Sequence, residues 1–259
     1  MRKAVAIIQA RWGSSRLPGK ILKQLGETTV LNHVLTRCLA IEGIDEVCCA
    51  VPRSIDSDPV AEEARRCGVT VVRGSEADVL ARYYQAATQT GADIVMRITS
   101  DCPLIDPAIC AELLTQFESN NVDYASNNTP PTWPVGLDCE VMSFKWLKKA
   151  AVEASRPSER EHVTPYIRNH EQVRQCNLAS PNSEIALHRW TLDTPDDYRF
   201  MTEIFSRLSS YSDPFSWNST LDIVTQEPAL VSINAGMDRR AGYKQSLVED
   251  AAAGFDIIN

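Results

Sequence analysis

The chain opens with the run Ala4-Val5-Ala6-Ile7-Ile8-Gln9-Ala10-Arg11-Trp12-Gly13-Ser14-Ser15-Arg16-Leu17-Pro18-Gly19-Lys20. Its first five residues are all apolar and predict a buried strand over residues 4–8. The following twelve residues hold three cations, two glycines, two serines and a proline. This composition favours a loop that wraps a polyanion, because glycine lets the backbone approach while hydroxyls, N–H groups and cations bind the charge. An ordinary solvated basic turn is the alternative.

The same alternation of apolar strands and amphipathic helices continues to about residue 120. Strands are predicted at residues 46–51, 69–72 and 93–98, and helices at 29–41, 58–67, 77–90 and 107–119. Asp58 is the expected N-cap of the second helix, with Pro59 in its first turn. Apolar strands between amphipathic helices indicate a doubly wound α/β fold, with a parallel sheet covered on both faces.

The pattern becomes looser after residue 121. A proline-rich loop is expected at residues 126–136, strands at 140–144, 173–178 and 185–192, and helices at 145–154, 159–170 and 195–208. Residues 237–259 show no clear pattern. We therefore expect one domain over residues 1–259, made of a first half (1–120), an inserted sheet-and-helix subregion (121–208) and a C-terminal extension (209–259).

Composition and charge exclude several classes of function. The 259 residues are 44% hydrophobic and 23% charged, as in ordinary globular proteins, and carry a net charge of -8. An acidic chain is poorly suited to bind nucleic acid, so the local positive charge of the opening loop fits a small anionic ligand better. The eight cysteines form no C-x-x-C pair, and there is neither a secretory leader nor a membrane-length apolar run. We expect a reduced, cytoplasmic protein with no membrane partner.

The opening loop departs from the two commonest nucleotide-binding motifs. Gly13 and Gly19 lie six residues apart, and Lys20 is followed by Ile21, so the loop is not G-x-x-x-x-G-K-[ST]. It does not match G-x-G-x-x-G either. The P-loop and dinucleotide-binding hypotheses both lose support.

Two aspartates follow strand-like runs elsewhere in the chain. Asp101 comes after the strand predicted at 93–98, and Asp193 comes after the one predicted at 185–192. Parallel strands bring their carboxyl ends together, so both carboxylates are expected to face the opening loop and to hold a hard cation such as Mg²⁺ beside substrate phosphates. The alternatives are local: Asp101 caps the turn before Pro103, and Asp193 is an N-cap, a role that Thr194 could fill equally well.

Taken in order, these motifs resemble the cytidylyltransferases that activate acidic sugars, such as the acylneuraminate and 3-deoxy-manno-octulosonate cytidylyltransferases. Within this family, the chain resembles the branch called spore coat polysaccharide biosynthesis protein F. The resemblance covers roughly residues 1–208. It rests on the opening loop, Arg73-Gly74-Ser75-Glu76-Ala77-Asp78-Val79-Leu80, Ser100-Asp101-Cys102-Pro103-Leu104, Glu161-His162-Val163-Thr164-Pro165-Tyr166 and Leu192-Asp193-Thr194-Pro195.

This resemblance implies a Rossmann-like, GT-A-like nucleotidyltransferase fold of three αβα layers, with a nucleotide-binding first half and a sugar-binding and dimerisation second half. It also implies residue roles. Arg11, Arg16 and Lys20 would bind the triphosphate and act in catalysis together with Asp101, while Ala10, Ser14, Arg73, Ser75 and Asp78 would bind the nucleotide. Gly136, Asp138, Glu140, Glu161 and His162 would contact the sugar, and Asp101 and Asp193 would hold Mg²⁺.

The implied reaction is transfer of CMP from CTP to an acidic sugar or sugar-like acceptor, with release of pyrophosphate, in surface glycan biosynthesis. His162 and His188 are candidate general bases, although a structural role is open for both. The resemblance further implies a homodimer.

Two other classes of function remain. A glycosyltransferase using a nucleotide-sugar usually needs an Asp-x-Asp motif, and position 103 is proline here. A non-catalytic nucleotide-binding relative is the third possibility.

Overall fold

The computed structural model describes residues 2–209, 215–236, 239 and 241–256, and its centre is a seven-stranded, mostly parallel sheet. The strands are β1 (Ala4–Gln9), β2 (Gln24–Leu25), β3 (Thr28–Thr29), β4 (Glu46–Pro52), β5 (Thr70–Gly74), β6 (Ile94–Thr99), β7 (Tyr124–Ser126), β8 (Glu140–Ser143) and β9 (Gln175–Asn177). The main sheet has the order β5-β4-β1-β6-β8-β7-β9, and β2 and β3 form a separate small hairpin.

Helices connect these strands and cover both faces of the sheet. They are α1 (Val30–Leu39), α2 (Asp58–Arg66), α3 (Val79–Thr90), α4 (Pro107–Ser119), α5 (Phe144–Glu153), α6 (Pro157–His162), α7 (Pro165–Arg168), α8 (Pro195–Leu208), α9 (Trp217–Gln226) and α10 (Ala241–Ala252). Short 3-10 turns lie at Lys20–Leu22, Ile55–Ser57, Ser183–Leu187 and Pro228–Ile233. The doubly wound α/β class predicted from the sequence is confirmed.

The opening strand is the central strand of the sheet. β1 pairs in parallel with both β4 and β6, which explains why all of its first five residues are apolar. Ala6 and Ile8 pack into the core layer on one face, whereas Val5 and Ile7 pack into the layer on the other face. A strand with both faces buried cannot alternate apolar and polar residues, so continuous hydrophobicity is the expected signal.

The register of these strands brings the opening loop beside Asp101. Gln9, the last residue of β1, stands opposite Thr99 at the end of β6 and Ala50 in β4. The backbone N–H of Ser100 donates to the carbonyl of Gln9 at 3.3 Å. The loop after β1 and the loop after β6 therefore leave the sheet at the same edge.

The second half of the chain extends the sheet with a change of direction. β8 runs antiparallel to both β6 and β7, and β9 then pairs in parallel with β7. Arg97 of β6 lies opposite Glu140 of β8, so the extension places an acidic residue next to the central strands.

Three local predictions are wrong. Residues 159–170 form two short helices, since Pro165 lacks the N–H that a continuous helix needs and Val163 adopts a φ of 71°. Residues 185–192 are not a strand: Asn182 caps the 3-10 turn Ser183–Leu187, and beyond it only the bridge between Val135 and Arg189 forms. Asp58 lies inside α2, whose N-cap is Ser57.

The C-terminal segment has structure that the sequence pattern did not reveal. α9 follows residue 216, and α10 lies within residues 237–259, where no element was predicted. Within the described residues, no helix has the length and apolar character needed to cross a bilayer. The division into two halves and an extension stays a prediction.

Candidate active site

A polar cavity of about 280 Å³ lies at the edge of the sheet where β1 and β6 end. The opening loop, α3, the loop after β6, α6 and the segment before α8 form its wall. It is lined by Gln9, Ala10, Arg11, Gly13, Ser14, Ser15, Arg16, Lys20, Ile21, Val79, Arg82, Thr99, Ser100, Asp101, Glu161, His162 and Asp193. Residues from five distant parts of the sequence thus share one concave surface.

Lys20 joins the two aspartates that the sequence singled out. Its Nζ lies 2.7 Å from Oδ2 of Asp101 and 3.2 Å from Oδ1 of Asp193. Asp101 and Asp193 are 92 residues apart in sequence numbering, yet both turn a carboxylate toward the same ammonium group. Neither acts merely as a local cap.

The charges of this cluster are strongly coupled. Burial opposes ionisation of Lys20, but attraction to Asp101 and Asp193 outweighs it and raises the pKa of the lysine above its ordinary value. Burial likewise opposes ionisation of Asp101, and the charge and hydrogen bond of Lys20 reverse that effect, lowering the pKa of Asp101 to about 2. The lysine and Asp101 are therefore both charged at neutral pH.

Asp193 is positioned by a network of hydrogen bonds and ion pairs that includes the buried Asp197. Its side chain pairs with Arg16, and its backbone N–H donates to Oδ2 of Asp197 at 3.0 Å. Asp197 is fully buried and also receives two hydrogen bonds from the guanidinium of Arg189, at 2.8 and 2.9 Å. The amide of Asn234 donates to the same carboxylate at 2.9 Å. The buried ion pair fixes the start of α8 and, with it, the backbone of Asp193.

We expect Asp197→Ala to lower the free energy of unfolding by about 3–5 kcal/mol, because removal of one partner of a buried ion pair leaves the other charge uncompensated. Equilibrium urea unfolding measures this loss. Asp196→Ala is the matched control, since the neighbouring Asp196 is 56% exposed in its side chain and pairs with Arg199 at the surface. We expect this control to change stability by less than about 0.5 kcal/mol. Equal effects of the two substitutions would contradict a structural role for the Asp197–Arg189 pair.

Two further guanidinium groups line the cavity. Arg11 is exposed in the opening loop, whereas Arg82 on α3 is buried and donates to the carbonyl of Ser75. Burial, together with the positive charge of Arg11 nearby, lowers the pKa of Arg82. Two like charges held close in one cavity repel each other, and an anion bound between them would relieve that repulsion.

The opening loop owes its shape to a close contact. Gly19 has a φ of 64°, and a side chain there would come within 2.8 Å of the indole ring of Trp12. Trp12 therefore packs on its own loop, although 39% of the residue remains exposed. Trp133 is buried and donates from Nε1 to the carbonyl of Leu178.

Three residues that the resemblance placed near the nucleotide lie outside the cavity wall. Arg73 binds the Asp58 carboxylate at 2.7 Å and the carbonyls of residues 52 and 54. Ser75 accepts the N–H of Asp78 at 3.1 Å. Asp78 caps α3 and pairs with Arg160. All three side chains are engaged within the protein, whereas Ala10 and Ser14 do line the cavity.

Gly136, Asp138 and Glu140, expected at the sugar, also lie outside the wall of this cavity. A side chain at Gly136 would clash with the Trp190 carbonyl at 2.1 Å, so the glycine permits two backbone segments to meet. Asp138 accepts the Gly136 N–H at 3.0 Å and pairs with Arg239 at 2.9 Å. These contacts hold the loop after β7 against the segment before α8.

Glu140 is buried and lies at the centre of a hydrogen-bond network. It contacts the guanidinium of Arg97 at 2.5 Å, the phenol of Tyr124 at 2.5 Å and the hydroxyl of Thr164 at 2.7 Å. Burial opposes its ionisation, but attraction to Arg97 and these hydrogen bonds lower its pKa.

Glu161 and His162, the last two residues expected at the sugar, line the cavity. His188, the other candidate general base, does not line the cavity. Its ring stacks on the ring of Trp190, with 5.6 Å between the two ring centroids.

Sequence reasoning missed Arg82 and the Asp197–Arg189 pair. A signal for Arg82 was present, because it lies on the face of α3 that is otherwise formed by Val79, Leu80, Tyr83, Ala86 and Ala87. A cation among the buried positions of an amphipathic helix needs a special partner. The partners of Asp197 depend on the path of the chain before α8, which the sequence does not show.

The donor set of the cavity fits a divalent cation. Asp101 and Asp193 present hard oxygen ligands toward one point, the ligand type that Mg²⁺ prefers. Among the residues described, no group of three or more His, Cys, Asp or Glu side chains is arranged as a metal cage. Two carboxylates without a third protein ligand suit a cation that takes its remaining ligands from water and substrate phosphates.

Solved structures and characterised relatives agree with this architecture. The cytidylyltransferase from Leptospira borgpetersenii serovar Hardjo-bovis superposes with a TM-score of 0.85 and 31% identity, over 92% of this chain and all of that one. At this identity and coverage, the similarity extends well beyond the fold of the central sheet.

Two curated relatives are similar to this chain over most of its length. Spore coat polysaccharide biosynthesis protein SpsF of Bacillus subtilis is 28% identical over 82% of this chain and 90% of its own length. The 3-deoxy-manno-octulosonate cytidylyltransferase of Escherichia coli is 29% identical over 97% of this chain and 100% of its own length. The sequence profile of the cytidylyltransferase family matches residues 5–214. That match spans both halves of the sheet and every charged residue of the cavity, and the chain therefore belongs to the cytidylyltransferase family of nucleotidyltransferases.

Proposed function

We propose that the protein transfers CMP from CTP to a hydroxyl group of an acidic sugar, with release of pyrophosphate and with Mg²⁺ as cofactor. The observation that carries this proposal is the pairing of Lys20 with both Asp101 and Asp193 in a cavity that also holds Arg11, Arg16 and Arg82. The relatives named for polysaccharide biosynthesis and for 3-deoxy-manno-octulosonate support a sugar-acid acceptor in the synthesis of a surface glycan.

The cationic residues would bind the triphosphate. Arg11, Arg16 and Lys20 come from one loop, and Arg82 faces them from α3. In-line attack on the α-phosphate spreads negative charge onto the pyrophosphate that leaves, and fixed cations stabilise this charge without reorganisation. Ala10, which directly follows β1, and Ser14 of the opening loop are the proposed contacts to the nucleotide.

Asp101 and Asp193 would hold the Mg²⁺ ion. When bound, a divalent cation neutralises phosphate charge and lowers the pKa of an attacking hydroxyl group. In the structure the two carboxylates hold the Lys20 ammonium, which the triphosphate would draw toward its own oxygens. Lys20 would thus pair with the carboxylates before CTP binds and with the phosphates after it binds.

Glu161 and His162 are the proposed contacts to the acceptor, since they form the wall contributed by α6. The roles predicted for Arg73, Ser75 and Asp78 near the nucleotide, and for Gly136, Asp138 and Glu140 near the sugar, would require these side chains to leave their present partners. We therefore propose that these six residues support the walls of the site. The homodimer stays a prediction.

A pyrophosphate-release screen tests the proposed reaction. CTP, UTP, ATP and GTP are each combined with acidic sugars, including 3-deoxy-manno-octulosonate and N-acetylneuraminate, with Mg²⁺ or with EDTA. We expect release to require CTP, one class of sugar acid and the divalent cation. Release of a nucleoside diphosphate from a nucleotide-sugar would instead support a glycosyltransferase. Tight CTP binding without turnover on any acceptor would support a non-catalytic relative.

A further inference from the structure

The helix α10 packs against α6 through two buried polar residues. Asp250 accepts hydrogen bonds from the N–H of Ser158 at 2.8 Å and from its hydroxyl at 2.6 Å. Ser246 lies one helical turn earlier, and both it and Asp250 are almost completely buried. α10 lies beyond residues 5–214, the segment that matches the family profile. Its contacts are made to the helix that carries Glu161 and His162.

Ser246 bridges these two cavity residues. Its Oγ lies 2.7 Å from Oε2 of Glu161 and 2.9 Å from Nε2 of His162. The Ser246 hydroxyl also lies 3.3 Å from the carbonyl of Gly242, but the Glu161 carboxylate at 2.7 Å is the closer and stronger acceptor. A carboxylate can only accept, so the single hydroxyl proton of Ser246 is directed to Glu161. The serine oxygen then acts as an acceptor toward His162, and Nε2 of the imidazole must carry a proton.

The surroundings of His162 keep its imidazole neutral. Burial is the main cause that lowers the pKa of His162 to about 4. Four charged residues act on it: Glu161 of its own helix, Arg97 of β6, Arg168 of α7 and Glu140 of β8. From α10, the Tyr243 ring stands edge-on at 5.3 Å. A neutral imidazole with a proton on Nε2 has an unprotonated Nδ1.

We propose that Ser246 is a positioning residue of the acceptor site: it orients Glu161 and fixes His162 in the Nε2-protonated form, so that Nδ1 can accept a hydrogen bond from a hydroxyl group of the acceptor. The hydrogen bond from the acceptor to Nδ1 rests on the proposed function. The tautomer of His162 depends only on contacts within the chain. The C-terminal extension thereby supports, from behind α6, a cavity whose lining residues all come from the first 193 residues.

Histidine-selective ¹⁵N labelling tests the tautomer directly. The chain has four histidines, so long-range ¹H–¹⁵N spectra at pH 7 are simple, and His162→Gln assigns the signals of interest. We expect a protonated Nε2 and an unprotonated Nδ1 in the wild-type protein. Ser246→Ala should convert this pattern to a mixture of tautomers, and Ser246→Thr should preserve it. A protonated Nδ1 in the wild type, or no change in Ser246→Ala, would overturn the proposal.

Steady-state kinetics tests the effect on the acceptor, using CTP, Mg²⁺ and the acidic sugar that gives the fastest pyrophosphate release. Loss of one hydrogen bond predicts that Ser246→Ala raises the KM for the sugar about fivefold to tenfold, while the KM for CTP changes less than about twofold. Gln245→Ala, an exposed neighbour on α10, is the matched control and should change neither value. A fall in Tm accompanied by equal effects on both substrates would show that Ser246 only supports the fold, and would refute the positioning role.

The two experiments separate the two possible failures. If no acidic sugar releases pyrophosphate, the proposed function fails while the spectra still decide the tautomer. If the reaction proceeds but Ser246→Ala behaves as the wild type toward the sugar, the proposed function stands and the positioning role is refuted.

Discussion

Lys20→Ala is expected to lower kcat for CMP transfer by about 10²–10³-fold, the usual effect of removing one group that is prepositioned for transition-state charge. The substitution removes the only ammonium that contacts both Asp101 and Asp193 within the described part of the chain. Lys20 is also a proposed triphosphate ligand, so the KM for CTP should rise. Initial rates of pyrophosphate release at saturating CTP, followed by CTP titration, separate the two effects.

The controls for this prediction use other lysines. Lys148→Ala changes an exposed lysine on α5 and should leave the rate within about twofold of the wild type, as expected for surface positions away from the site. Lys20→Arg keeps the charge but changes its geometry, and we expect it to recover only part of the rate. Turnover by Lys20→Ala within twofold of the wild type would refute the proposed mechanism.

Asp101→Asn and Asp193→Asn are each expected to reduce kcat/KM by at least about 100-fold, corresponding to about 2.7 kcal/mol of transition-state stabilisation. Both substitutions preserve side-chain shape and remove the negative charge that a divalent cation requires. Because the two carboxylates are proposed to hold the same ion, the double variant should be little worse than either single variant. Titration with Mn²⁺ in the presence of CTP, followed by electron paramagnetic resonance, should show weakened metal binding in all three.

The exposed Asp56 supplies the control for this pair, since Asp56→Asn makes the same chemical change away from the cavity. We expect that variant to bind Mn²⁺ and to turn over as the wild type does. Fully additive losses in the double variant, with unchanged Mn²⁺ affinity, would indicate that Asp101 and Asp193 act independently and not through a shared cation.

The sequence predicted much of the fold because its central strands are buried on both faces. β1, β4 and β6 each read as short, mainly apolar runs between helices, and that pattern predicted the parallel pairing that the structure has. The same topology rule brought the opening loop, Asp101 and Asp193 together, although Asp193 follows an irregular segment where a strand was predicted. Asp193 lines the cavity although no strand directly precedes it, so the expectation of its position rests on the resemblance more than on the predicted strand.

The sequence could not show which charged side chains pair with each other when they lie far apart along the chain. Asp78 looked available for a nucleotide, but Arg160, 82 residues further along the chain, occupies it. Arg73 similarly binds Asp58. Helical periodicity extended the helix predicted at 159–170 through Pro165 and gave no sign of α10. The partners of α10 are polar groups of another helix, and periodicity measures only the apolar face.

The contact of Lys20 with both carboxylates has a consequence for the ligand-free protein. Two carboxylates turned toward one point repel each other when both carry charge. Here the chain supplies its own counter-ion from the opening loop. Because the chain itself supplies this positive charge, chelation of divalent cations should stop the reaction without loosening the structure of the cavity.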